Sequence, residues 1–357
     1  MIFVLLIGVL VIMIIGLIFL FTRFKKLGGG KGKKSVITAV VLTLILAGLC
    51  VADMYFWIIA IIHLAFFWIV GEIIFLIVRK ASGKKPPYIL TALTAAVLTT
   101  IYLSIGWYFA HHVYVTEYTL DTDKEIPGGK VRIVQITDSH LGACFDGEGF
   151  AEHMKTVQDQ SPDLVVVTGD FVDDDSCRED MERSCRALGE LKTTYGVFFV
   201  YGNHDKGYYD GRDFTAEELA YELRANGVTI LEDEEVTIGD GMVLIGRQDK
   251  SNRDGRADIS DLVKDMDPDV YTVVLDHQPN DFDAESKAGV DLVLSGHTHG
   301  GQMIPLIHSG EWSGVNDLTY GKEVRGDTTF IVSSGIADWA VPFKTGCIAE
   351  IVVIDIV

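Results

Sequence analysis

Four apolar runs of about bilayer length fill the first third of this chain, and they restrict what it can fold into more than any other feature. Met1 to Phe21, Val36 to Ala52, Phe56 to Val78 and Tyr88 to Ala110 each come near the roughly 20 residues that cross a hydrocarbon core as a helix. A segment in lipid satisfies its backbone hydrogen bonds internally, so these runs predict four transmembrane helices rather than core helices of a soluble domain. Spans two and three are joined tightly around Asp53 and Met54, which predicts a helical hairpin. Glu72 is the acid inside a span. A carboxylate there must face other helices or water, and a packing or interfacial role is expected.

Orientation follows from the positive charges. Arg23, Lys25, Lys26, Lys31, Lys33 and Lys34 follow span one, and Arg79, Lys80, Lys84 and Lys85 follow span three. Short basic loops stay in the cytoplasm, so the N-terminus is expected outside and span four leads outward. Everything after about Ala110 is then expected on the extracytoplasmic side of the plasma membrane. The first span lacks a basic leader and an A-x-A-like site and reads as a retained anchor. Gly28 to Lys34 fails the P-loop spacing, because Leu27 stands five before Gly32 and Lys34 replaces the required Ser or Thr; it reads as a flexible basic loop facing anionic lipid.

The chain is thus expected to divide into a membrane part, residues 1–110, and an outer domain, residues 111–357. Of 30 basic and 50 acidic residues the first part holds ten and two, which leaves 20 and 48, a net charge of −28, for the second. Such a surface repels nucleic acid. Its 247 residues suffice for one substantial core. Cys50 lies in a span, and Cys144, Cys177, Cys185 and Cys347 lie in the outer domain. Cys177 and Cys185, eight apart on an expected helix, are too distant to bridge, and no essential disulfide is expected.

Five short polar clusters punctuate the outer domain: Asp138-Ser139-His140, Gly169-Asp170, Gly202-Asn203-His204-Asp205, Asp276-His277 and Gly296-His297-Thr298-His299. Each ends an apolar run. Val131 to Thr137, Leu164 to Thr168, Val197 to Tyr201, Tyr271 to Leu275 and Asp291 to Ser295 are short and bounded by Gly or polar residues, the pattern of buried strands. Ala151 to Gln160, Arg178 to Thr193 and Ala216 to Asn226 have helical spacing and predict crossover helices, so the domain reads as α/β with the clusters along one sheet edge. A further strand is expected over Val113 to Leu120, followed by an exposed turn ending in Pro127-Gly128-Gly129.

The residue types dictate the chemistry. Carboxylate oxygens, imidazole nitrogens and one amide oxygen suit two divalent ions, Mn²⁺ foremost, with Fe or Zn²⁺ as alternatives, and no cluster contains Cys. Asp138 and His140, two apart, would share one face of an extended strand and grip one ion. Asp170 is the candidate bridging carboxylate, and Asn203 would supply a neutral oxygen. Two cations about 3.5 to 4 Å apart would clamp phosphoryl oxygens and activate a water between them. His204, beside a ligand, is left to protonate the leaving oxygen. Taken singly, Gly169-Asp170 is an ordinary turn and Asp-x-His is weak; the ordered set of five carries the signal. His63, His111, His112, His153 and His308 belong to no cluster and read as structural, with pocket lining as the alternative for His308.

The segments ITDSHLG, VTGDFVDD, YGNHDKGY, LDHQP and LSGHTHGGQ resemble the calcineurin-like metallophosphoesterase superfamily over residues 115–357. More narrowly, they are similar to its bacterial membrane-associated branch of UDP-2,3-diacylglucosamine diphosphatase-like enzymes. The resemblance implies a four-layer α/β/β/α sandwich. It implies one metal on Asp138, His140, Asp170 and His299, and another on Asp170, Asn203, His277 and His297. It also implies His204 as acid with Asp205 orienting its imidazole. Ser139 departs from the apolar residue many relatives carry, and Met303 to Gly321 falls where relatives shape the substrate site. The expected activity is hydrolysis of a phosphate ester or diphosphate on a small-molecule or lipid substrate by metal-activated water. A catalytically silent membrane sensor or scaffold is the rival reading, countered by a complete ligand set. A protein phosphatase is a second rival, countered by anchoring and outward topology.

Overall fold

The computed structural model describes residues 2–83, 87–208, 211–252 and 255–357, with side chains from residue 8 onward. Lys84 and Lys85, counted above in the second basic loop, lie outside the described residues. The chain divides into two units, Met1–Gly106 and Trp107–Val357.

The apolar runs form α1 (Ile2–Leu27), α2 (Gly32–Ala52), α3 (Met54–Ser82) and α4 (Tyr88–His111). All four are long and apolar enough to cross a membrane. α1 continues past its expected end through Arg23, Lys25 and Lys26, because long-chain basic residues are good helix formers. Asp53 breaks the hairpin: its backbone is extended and its carboxylate accepts the Phe56 N–H at 2.9 Å, capping α3. Glu72 has partners that sequence reading did not supply. Its carboxylate accepts from Arg23 at 2.8 Å and from the Tyr88 hydroxyl at 2.8 Å, with Lys26 at 3.4 Å. Leu20, Ile61, Trp68 and Ala95 pack inside this unit.

The second unit holds β1 (Val113–Leu120), β2 (Val131–Ile136), β3 (Leu164–Thr168), β4 (Gly196–Val200), β5 (Val228–Ile230) and β6 (Glu234–Ile238). It continues with β7 (Met242–Gly246), β8 (Tyr271–Leu275), β9 (Leu292–Ser295), β10 (Gly321–Arg325), β11 (Thr328–Val332) and β12 (Ala349–Ile356). Its helices are α5 (Gly147–Asp159), α6 (Arg178–Gly189), α7 (Ala216–Ala225), α8 (Ile259–Val263), α9 (Phe282–Ala288) and α10 (Ser309–Trp312). The strands form two six-stranded sheets, ordered β1-β12-β2-β3-β4-β5 and β10-β11-β9-β8-β7-β6. β2 to β5 run parallel, as do β7, β8, β9 and β11, while β12 lies antiparallel to β2.

The period of two along each strand builds the layers. Val134, Val165, Val167, Val197 and Phe199 pack against Phe150, Met154, Met181, Leu188 and Leu219 of α5, α6 and α7. Their sequence neighbours Ile133, Leu164, Val166, Phe198 and Val200 face the other way and meet Leu244, Val273, Leu275, Leu292 and Leu294 of the second sheet. Val274, Val293 and Phe330 then cover Ile259 and Phe282 of α8 and α9. Three apolar cores between four layers make the α/β/β/α sandwich that the motifs implied. Every run read as a buried strand is one, within a residue or two at each end.

Candidate metal centre

All five clusters lie on loops that leave the C-terminal ends of β2, β3 and β4 in one sheet and β8 and β9 in the other. Gln135 ties the two edges together, donating to Thr168 Oγ1 and to the Ser295 carbonyl, both at 2.9 Å. One expectation is overturned. β2 stops at Ile136, and Asp138 (φ 54°) and His140 (φ 35°) are left-handed, so they belong to a tight turn and not to an extended strand. Asp170, His297 and His299 are left-handed as well. Such backbone costs on the order of 1 to 3 kcal/mol per residue and persists where surroundings over-determine it. Here the Asp138 N–H donates to the Gly169 carbonyl at 3.0 Å, the His140 N–H to the Asp170 carbonyl at 3.1 Å, and the His297 N–H to the Asp138 carboxylate at 3.0 Å. A Cβ at Gly202 would strike the Asp170 carboxylate, and one at Gly296 would strike Asp138.

The turns bring donor atoms together in three sets, Asp138 with His140 and His299, His140 with Asp170 and His204, and Asp170 with His277 and His297. Within each set the donor atoms lie within 4.8 Å of one another. Asp170 Oδ2 stands 3.6 Å from His140 Nε2 and 3.2 Å from His277 Nε2, between the two outer sets. Asn203 Oδ1 lies 3.2 Å from His277 Nε2. His140 Nε2 is buried without a hydrogen-bond partner while facing two carboxylates. A buried nitrogen of that kind needs an explanation, and a cation ligand supplies it. The donor set of carboxylate, imidazole and amide oxygen fits divalent Mn, Fe or Zn.

The opposite ring nitrogens are held by oxygens, which aims each Nε2 at the cluster. His277 Nδ1 donates to the Thr168 carbonyl at 2.8 Å, and His140 Nδ1 donates to Asp173 Oδ2 at 3.1 Å. The other oxygen of Asp173 accepts from His204 Nδ1 at 2.8 Å. Asp173 is therefore the residue that orients His204, and the orienting role expected of Asp205 is corrected. Asp205 instead accepts four backbone N–H bonds, from Asp170, Phe171, Val172 and Gly202, and so clamps the β3 loop to the β4 loop. Sequence reading missed Asp173; the signal available was that each cluster histidine needs an oxygen for Nδ1.

Electrostatics divide the histidines. Burial pushes His299 down to about 3 and also lowers His297, which keeps both imidazoles neutral, the form that binds a cation. His204 and His277 move the other way: burial opposes their charge, but the Asp173 hydrogen bond and the Asp170 charge raise the His204 pKa, and the Asp170 charge and hydrogen bond raise that of His277. Asp173 is held below the usual carboxylate range, against its burial, by the His140 and His204 hydrogen bonds. Burial and then the Asp170 charge push Asp205 up to about 6. Tyr208 and Trp339 flank the His204 ring at 5.0 and 5.5 Å between centroids. Asp276 lies beneath the cluster, paired with Arg256 at 2.8 Å and with the buried Arg247 at 3.0 Å. Arg247 also reaches Asp281 and Glu285, so this network braces the turn that presents His277.

A family description for calcineurin-like phosphoesterase matches residues 131–301, from the start of β2 to the glycines after His299. An uncharacterized metallophosphoesterase of Aquifex aeolicus is 30% identical over 275 residues, 73% of this chain and 97% of that protein. One of Campylobacter jejuni is 30% identical over 306 residues, 82% of this chain and 78% of that protein. A Bos taurus protein named as a transmembrane protein with metallophosphoesterase domain is 29% identical over 238 residues, 62% of this chain and 52% of that protein. With its two-sheet sandwich and its histidine and carboxylate loops at the strand ends, the chain belongs to the calcineurin-like metallophosphoesterases.

Proposed function

We propose that this chain is a membrane-anchored phosphoesterase with two divalent cations that hydrolyses a phosphate ester or diphosphate on a lipid-linked or envelope substrate. The observation that carries this reading is Asp170, whose carboxylate stands between His140 and His277 and so between two donor sets. Asp138, His140, Asp170 and His299 would hold one ion, and Asp170, Asn203, His277 and His297 the other. When bound, the pair supplies polarisation of the phosphoryl oxygens and a lowered pKa for water.

The chain's own residues do the rest. His204, with Nδ1 held by Asp173, presents Nε2 as the proton donor to the leaving oxygen. Asp173 keeps that imidazole oriented and favours its charged form, and at the same time fixes His140. Asp205 holds the Asp170 and Asn203 loops in register through backbone amides. The net charge of −28 over residues 111–357 favours small or lipidic phosphates over nucleic acid.

Residues 1–110 form the anchor in this reading and residues 111–357 the catalytic domain. The basic residues after α1 and α3 support a cytoplasmic side for those loops and an extracytoplasmic side for the domain at the plasma membrane. The full chain in detergent should hydrolyse 4-nitrophenyl phosphate or its bis-aryl diester with added Mn²⁺ and stop when chelator is added. Turnover of both esters that is indifferent to chelator would remove the metal mechanism.

A further inference from the structure

We propose that residues 303–316, which follow directly on His299-Gly300-Gly301-Gln302, form a lipid contact that seats the metal-bearing edge of the domain at the bilayer surface. The substrate is then the phosphate group of a membrane amphiphile. This inference rests on the phosphoesterase reading above and adds how the phosphate reaches the site.

Three large apolar side chains are exposed there: Ile304 at 51%, Leu306 at 58% and Trp312 at 75%. Single exposed hydrophobic residues are ordinary, but a group of this size within nine residues marks a contact surface. Residues 303–316 contain a single formal charge, Glu311, in a domain that carries −28. Even that carboxylate is engaged, by the Thr319 N–H at 2.8 Å and by His308 at 3.1 Å. An acidic surface is repelled by anionic headgroups, so an uncharged apolar segment is the part of it that can approach them.

The segment is fastened to the site. The Gln302 carbonyl accepts from the Thr345 N–H at 2.8 Å, Gln302 Nε2 donates to the Trp339 carbonyl at 3.3 Å, and the Ile304 N–H donates to Thr345 Oγ1 at 3.1 Å. The Trp339 ring borders His204.

Strand register places the start of β1 at the metal-bearing edge of its sheet. β12 pairs Val352 with Gln135 of β2, antiparallel, and pairs Ala349 with Val113 of β1, parallel. Counting three residues along, Val113 starts β1 level with Asp138, two strands away, about 10 Å at ~4.8 Å per strand. Only His112 separates Val113 from the end of α4, a helix long enough to cross a membrane. Two peptide steps reach about 7 Å. Aromatic residues crowd this entry, with Trp107 stacked on His111 and Tyr108 on His112, the residue types that settle at headgroup level. The chain therefore enters the sheet at the edge that carries the metal-binding turns.

The test uses the full chain in nanodiscs of phosphatidylcholine, plain or brominated on its acyl chains, compared with Trp312→Phe. Trp57, Trp68, Trp107 and Trp339 are common to both proteins, so the difference in emission reports Trp312. The expected result is loss of the Trp312 emission in brominated lipid, and a smaller loss when Leu306→Ser is added. Equal Trp312 emission in the two lipids overturns the inference, whether the side chain proves to be in water or covered by protein. Hydrolysis of 4-nitrophenyl esters by the same samples separates the two readings. Quenching without turnover keeps the lipid contact and removes the phosphoesterase reading, and turnover without quenching does the reverse.

Discussion

Asp173→Asn tests the dual role of a residue that no motif singles out. Its two carboxylate oxygens accept from two imidazoles, Oδ2 from His140 at 3.1 Å and Oδ1 from His204 at 2.8 Å. An amide of the same shape offers one acceptor and one donor, so one Nδ1–H is left facing an N–H. A hydrogen bond to a charged group contributes about 1.5 to 3 kcal/mol. At 1.36 kcal/mol per decade, losing the His204 bond should lower kcat about 10- to 150-fold. That is less than the ~10² to 10⁴ expected for removing the acid altogether. Losing the His140 bond should instead weaken metal binding by about 10- to 100-fold. The assay pairs kcat at saturating Mn²⁺ with a Mn²⁺ titration, for an aryl ester and for an alkyl ester. Acid catalysis matters most for the poor alkyl leaving group, so the drop should be larger there. If both esters turn over within threefold of wild type and the Mn²⁺ titration does not move, Asp173 neither orients His204 nor supports His140.

His204→Asn should keep wild-type metal content while kcat falls by about 10² to 10⁴, which elemental analysis and steady-state rates check together; parallel loss of metal would make His204 a ligand. Arg247→Met takes the cation from the buried Glu285 and leaves Asp276 and Asp281 to Arg256 alone, and should destabilise the domain by about 3 to 5 kcal/mol. Thermal unfolding in detergent reads that change, and an unchanged transition would show the network to be dispensable. Asp123→Cys, at an exposed position before β2, in a background without native cysteines, should react with a membrane-impermeant thiol reagent in cells stripped of any outer barrier. Labelling only after lysis would put the domain in the cytoplasm.

The strands that carry ligands were legible because each is buried on both faces and ends at a polar cluster, so that composition and punctuation agree at β2, β3, β4, β8 and β9. β12 was not, although its centre, Ile351 to Ile354, is an apolar run like theirs, because Glu350 and Asp355 interrupt the pattern and its place between β1 and β2 is a long-range pairing with no local mark. The cluster residues could be named from sequence, but their backbone could not: Asp138 and His140 look like alternate positions of a strand until the left-handed turn is seen. Asp173 was hidden among Asp173, Asp174 and Asp175, three adjacent acids of which the fold turns one toward two imidazoles. Asp205 was given the orienting role by resemblance alone, and the fold spends its carboxylate on four backbone N–H groups instead. Glu72 similarly gained its partners from α1 and α4, 49 and 16 residues away.

In the proposed mechanism two cations share Asp170. Elemental analysis of the full chain, purified with Mn²⁺ and freed of loose metal, tests it most directly alongside Asp170→Asn. Two cations per wild-type chain are expected, with loss of both sites' occupancy in the variant, together with its turnover. A variant that retains two cations, or a wild-type chain that hydrolyses phosphate esters with none, would contradict it.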